Sequence, residues 1–150
     1  MADYPPQAAD GGRRSMEHLS VSSWRLPIGI VLIALSGQLD ATVTGGLEEF
    51  VVQARQDPGD HLVFDLAELS FMDSAGLRVL LNAHAFARRH GGRVHLAAVQ
   101  PMPARVLQLT HAGDHLAVQA TVEEALKAAV AEVLPRGGTG EGRSTDATPA

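Results

Sequence analysis

The chain contains no cysteine. That excludes disulfides, thiolate metal sites and thiol nucleophiles, and it fits a reducing compartment. Aromatic residues are scarce, with one Trp, one Tyr and four Phe, so any core must be mainly aliphatic. There is no basic stripe, and the net charge is −5, which argues against nucleic acid as a direct partner. No apolar run is long enough for a membrane helix. The longest, "IGIVLIAL" from Ile28 to Leu35, falls far short of the roughly 20 residues a bilayer requires. The N-terminal "MADYPPQAADGGRRS" lacks the apolar segment of a signal peptide, and the expectation is a cytoplasmic protein with no membrane partner. What is present is an ordinary globular composition, 45% hydrophobic and 19% charged over 150 residues, enough for one domain with a real core.

Residues 1–16 and the tail from Pro135, "PRGGTGEGRSTDATPA", are expected to be disordered on composition, which leaves one domain over residues 17–134. Within it "HLSVSSWRL" (18–26) and "IVLIALSG" (30–37) read as strands joined by the turn "PIG", an antiparallel hairpin. Asp40 sits where an N-cap belongs, and Val43, Leu47, Phe50, Val51 and Ala54 follow at helical spacing until Pro58 and Gly59 intervene. "HLVFDL" (61–66) is a third strand. Asp73 is the candidate cap of a helix running to about His90, which Gly91 and Gly92 stop. "RVHLAAV" (93–99) is a fourth strand, Pro101 and Pro103 open a short helix closed by Gly113, and "HLAV" (115–118) is a fifth strand. Thr121 and Glu124 form a capping-box pattern before a last helix. The order β-β-α-β-α-β-α-β-α predicts an α/β fold, a mixed and mostly parallel sheet of about five strands with about four helices.

The chemistry centres on "FMDSAGLRVLL" (71–81), a serine at a strand-to-helix junction directly after an acid. A nucleophile elbow of the G-x-S-x-G type would need a glycine where Met72 stands, and Asp73 would oppose a developing oxyanion. No phosphate-binding G-x-x-x-x-G-K-[ST] loop occurs. Metal ligation has no helical support: His84 and His90 are six apart, and Gly113 and Asp114 break the helix that would align His111 with His115. The histidines read as solvated surface residues. No catalytic residue, metal or cofactor is therefore expected. Two readings of Asp73-Ser74 stay open. Asp73 is a helix cap in either, worth about 1 kcal/mol. Ser74 is then either an incidental first-turn residue or a phosphate acceptor, since a helix N-terminus tolerates added negative charge.

The order of elements, together with "SGQLD" (Ser36 to Asp40), "VFDLAELSFMDSAGL" (Val63 to Leu77) and "RRHGGRVHLAAVQP", resembles the STAS domain family, in particular its bacterial anti-sigma-factor antagonists, over about Leu19 to Val133. That resemblance implies a regulatory binding protein rather than an enzyme. Ser74 would be phosphorylated by an anti-sigma factor with serine kinase activity. The unmodified form would bind that partner and free a sigma factor, phosphorylation would abolish binding, and a serine phosphatase would reset the switch. Asp40, Asp73, Ser74, Ala75, Gly76 and Arg78 would make the partner-binding surface of a monomer. Arg78 could equally be a solvated helix residue. Rival readings are a STAS module of another stress-signalling complex, the STAS subunit of a lipid-transport complex, and a serine hydrolase.

Overall fold

The computed structural model describes residues 12–134. The expectations for residues 1–11 and 135–150 lie outside the described residues. The strands are β1 (Gly12–Met16), β2 (Leu19–Leu26), β3 (Ile30–Leu39), β4 (His61–Met72), β5 (Val94–Ala97) and β6 (Ala117–Gln119). The helices are α1 (Thr44–Ala54), α2 (Ser74–Arg89), α3 (Pro101–Thr110) and α4 (Val122–Val133), with a 3-10 turn over Ala112–Asp114. All six strands form one sheet in the order β1-β2-β3-β4-β5-β6. The first three strands are antiparallel, and β3 to β6 run parallel.

Strand β3 explains the layering. Its run Ile30 to Leu35 is apolar at nearly every position because both faces are covered. Val31, Ile33 and Leu35 enter the larger core, with Leu47, Phe50 and Val51 of α1, Leu77, Leu80 and Ala83 of α2, and Leu107 of α3. Ile30 and Leu32 face the smaller core, with Val63, Ala97 and Ala125 and Ala129 of α4. Three successive parallel crossovers in one direction must put α1, α2 and α3 on the same face if each is right-handed. Among the described helices, α4 covers the other face, with Trp24, Leu26 and Ile28 packed beside it. Its inward Ala125 and Ala129, both fully buried, let it lie close to the sheet.

Four expectations shift. The sheet has six strands rather than five, because residues 12–16, read as part of a tail, pair with β2 from Gly12↔Ser23 to Met16↔Leu19. This polar edge strand is held from outside itself: Arg14 Nη1 donates to Gly46 O at 3.2 Å and contacts Glu49 Oε1 at 3.2 Å on α1. Strand β4 is twice the expected length, since residues 67–72 continue alongside β3 past two register shifts. The last strand starts two residues later than expected, at Ala117. Helix α3 ends at His111, whose left-handed backbone (φ 61°) makes the cap, while Gly113 falls inside the 3-10 turn.

Candidate functional site

The carboxyl ends of β3 and β4 finish level with each other, Leu39 opposite Met72. Asp40 and Asp73 therefore leave the sheet together, and Asp73 N donates to Leu39 O at 3.2 Å. Asp73 is the cap the sequence indicates. Its Oδ1 accepts from Gly76 N at 2.9 Å, and its carbonyl accepts from Leu77 N at 3.0 Å. Ser74 is the first residue of α2 and is exposed. The N–H groups of Ser74 and Ala75 precede the first intrahelical bond, so the positive end of the helix points at this serine. Arg78 is exposed one turn further along, and Ala75 is half-buried.

Gly76 has a role beyond the one expected. It is buried, and its lack of a side chain serves packing. A Cβ placed there would lie 2.5 Å from Leu39 Cγ and 2.9 Å from Leu39 O. The glycine lets the first turn of α2 press onto the end of β3, which fixes the height of Ser74 above the end of the sheet.

Asp40 is not the cap of α1. That place falls to Val43, which makes no side-chain cap hydrogen bond. Asp40 instead closes a turn of its own. Its Oδ1 accepts from Thr42 Oγ1 at 2.6 Å and Thr42 N at 3.0 Å, and its Oδ2 lies 2.8 Å from His18 Nε2. An Asx turn of this kind competes directly with helix capping for the same carboxylate. The Thr42 hydroxyl bond, with help from Thr42 N and His18, holds the Asp40 carboxyl below the ordinary carboxylate range. Gly37 permits the arrangement: at φ +112° its Cβ would collide with His18 O, which instead accepts from Gln38 N at 2.9 Å.

The amino end of β4 is also polar but sealed. Asp60 is 2% exposed and pairs with Arg25 at 2.9 Å. Its Oδ2 also accepts from Gln56 N and Asp57 N. Burial alone would raise this carboxyl, but the hydrogen bonds from Arg25 and the two amides outweigh it and hold it below the usual range. Two histidines depart from the surface placement expected of them: His61 is 6% and His95 is 1% exposed. His84 is half-buried, and its Nδ1 accepts from Val94 N at 3.2 Å.

The family model for the STAS domain matches residues 26–125. The chain belongs to the STAS domain family. A curated protein from Paenibacillus polymyxa, an anti-sigma F factor antagonist, is 32% identical over 85 residues, 55% of this chain and 71% of that protein. Among solved structures, an anti-sigma factor antagonist from Mycobacterium paratuberculosis superposes with TM-score 0.67 at 23% identity, covering 75% of this chain and 94% of that one. The Bacillus cell fate determinant SpoIIAA in its phosphorylated form gives TM-score 0.56 at 24% identity, covering 72% and 97%. The fold is the STAS fold, and no helix among the described residues is long and apolar enough to cross a membrane.

In this STAS domain the two motifs noted in the sequence are one structural unit. Gly37 admits the His18 backbone, Leu39 packs under Gly76, and Asp40 and Asp73 start the two turns that frame Ser74. Sequence reasoning missed His18 and Thr42. Thr42 follows Asp40 by two residues, the spacing of an Asx turn, and was in principle readable. His18 carries no local signal, because its partner is 22 residues away.

Proposed function

We propose that this STAS domain is an anti-sigma-factor antagonist working as a phosphorylation switch. Its unmodified form docks an anti-sigma factor that is also a serine kinase, and so frees a sigma factor. The docking surface is the carboxyl end of the sheet at Asp40, Asp73, Ser74, Ala75 and Gly76, with Arg78 on the adjoining face of α2. In the kinase, the Ser74 hydroxyl attacks the terminal phosphorus of ATP, ADP leaves, and the proton passes to a base of the kinase. The chain supplies no catalytic group, metal or cofactor to that step. A phosphate of about −1.5 to −2 charge then stands beside the carboxylates of Asp73 and Asp40. Burying it unpaired in an interface costs several kcal/mol, enough to lose micromolar binding. A serine phosphatase restores the first state. The protein acts in the cytoplasm as a monomer, without direct contact to nucleic acid or membrane.

The observation that carries this reading is the position of Ser74: exposed, first in a long helix, and held by a cap and a glycine contact that its own hydroxyl does not share. The named antagonist among its sequence relatives and the phosphorylated SpoIIAA among its structural neighbours support it. The test is incubation with ATPase-fold anti-sigma kinases of the same organism and ATP, followed by mass spectrometry and binding measurements on Ser74→Ala and Ser74→Asp. The expected result is one phosphate, on Ser74, with Ser74→Ala binding the kinase and Ser74→Asp failing to bind. Equal binding by Ser74→Asp and the unmodified protein would sink the switch.

A further inference from the structure

At the end of the sheet opposite Ser74, under α4, two imidazoles stand side by side. His95 of β5 is in register with Val63 of β4. His61, two residues before Val63, therefore points to the same face, the one covered by α4. His61 Nδ1 and both ring nitrogens of His95 are buried with no partner at good hydrogen-bonding geometry, although the Gln119 side chain is near enough to His95 to act on its ring. Glu132, in the last turn of α4, brings Oε1 to 3.7 Å from His61 Nδ1 and turns Oε2 to Arg93 Nη1 at 3.3 Å. One donor atom from each of His61, His95 and Glu132 lies within 4.8 Å of the others.

Buried imidazole nitrogens without partners are uncommon and call for an explanation. A position needing only bulk would be served by an apolar side chain, as it is at Val63 and Ala97 nearby. We propose that His61, His95 and Glu132 bind a zinc ion. Two imidazoles and a carboxylate are a zinc donor set. Neutral imidazole is the form that ligates metal. Donor atoms of a tetrahedral zinc site are about 3.3 Å apart, given bonds of about 2.0–2.1 Å, so the three, all within 4.8 Å of one another, need to draw inward by at most about 1.5 Å. Glu132 is partly exposed at a helix end and has the freedom to do so. Arg93 opposes a cation by charge but occupies only Oε2, which orients the carboxylate and leaves Oε1 for the metal. Gln119 Oε1 is buried, and its side chain interacts with His95, so it offers a fourth oxygen. A zinc ion here would tie the end of α4 to β4 and β5.

The test uses the full-length, tag-free chain stripped with a chelator and titrated with zinc chloride by calorimetry, with cobalt(II) as a spectroscopic substitute. The expected result is one ion per chain in the micromolar range, a raised melting temperature and the visible bands of tetrahedral cobalt. Glu132→Gln should weaken zinc binding by at least about tenfold, His95→Ala should abolish it, and His111→Ala should leave it unchanged. Should His95→Ala not fold, Glu132→Gln decides the matter, since it alters a helix end rather than the core. The site is overturned if one equivalent of zinc fails to bind even at millimolar concentration. It is also overturned if Glu132→Gln binds zinc as tightly as the parent.

Discussion

The two ends of β4 treat polar side chains in opposite ways. At its carboxyl end Asp73 and Asp40 are partly exposed, and their carboxylates serve residues two or three positions away, with His18 the one distant partner. At its amino end Asp60, His61 and His95 are sealed from water; Asp60 and His61 meet Arg25 and Glu132 from a distant strand and helix, though Asp60 also accepts from the nearby amides of Gln56 and Asp57. A group bound to its own neighbours can change charge without disturbing the fold. A buried group tied across the fold cannot. The comparison separates an end fit for switching from an end fit for holding the domain together.

The comparison can be broken most forcefully at the sealed end. Arg25→Ala leaves the Asp60 carboxylate buried without its cation, and chemical denaturation should show a loss of about 3 kcal/mol. The same pair sets an acid limit. The Asp60 carboxyl lies below its unfolded value, so its contribution is complete above the unfolded pKa and disappears as the pH falls through the folded one. Urea titrations from neutral pH down to about 3 should therefore show the parent losing stability with acid, and Arg25→Ala losing less. Next comes Gly76→Ala, whose added methyl meets Leu39. It should cost about 2 kcal/mol and weaken kinase binding by tilting α2. Asp73→Ala removes a cap and should cost about 1 kcal/mol. Smallest is Ser74→Asp, expected to alter stability by less than about 0.5 kcal/mol while removing partner binding. A large loss of stability in Ser74→Asp would erase the distinction between the two ends.

What the sequence disclosed follows the same division. The hairpin, the four helices, the Asp73 cap with Gly76 N and the Thr121 cap with Glu124 N are written in local patterns, and the structure contains them. The unread parts depend on distant pairing. Strand β1 has no apolar alternation and is a strand because β2 and α1 hold it. The second half of β4 exists because β3 runs beside it. Asp40 had two local options, a helix cap or an Asx turn, and His18 stands against the carboxylate in the turn. His61 and His95 meet only once two parallel strands are aligned, so no spacing rule along the chain could join them.

The sheet is laid down in chain order, each strand beside the one made before it. A chain emerging from the ribosome can therefore extend a finished edge at every step, without waiting for a later strand to be inserted. Only α4 breaks this economy of order. Until it is synthesised, Ile30, Leu32, Val63 and Ala97 lack the helix that covers them and have only Trp24, Leu26 and Ile28 packed against them. The newborn domain is thus most prone to aggregate just before residue 122, and a chain truncated there should be the form that chaperones hold longest.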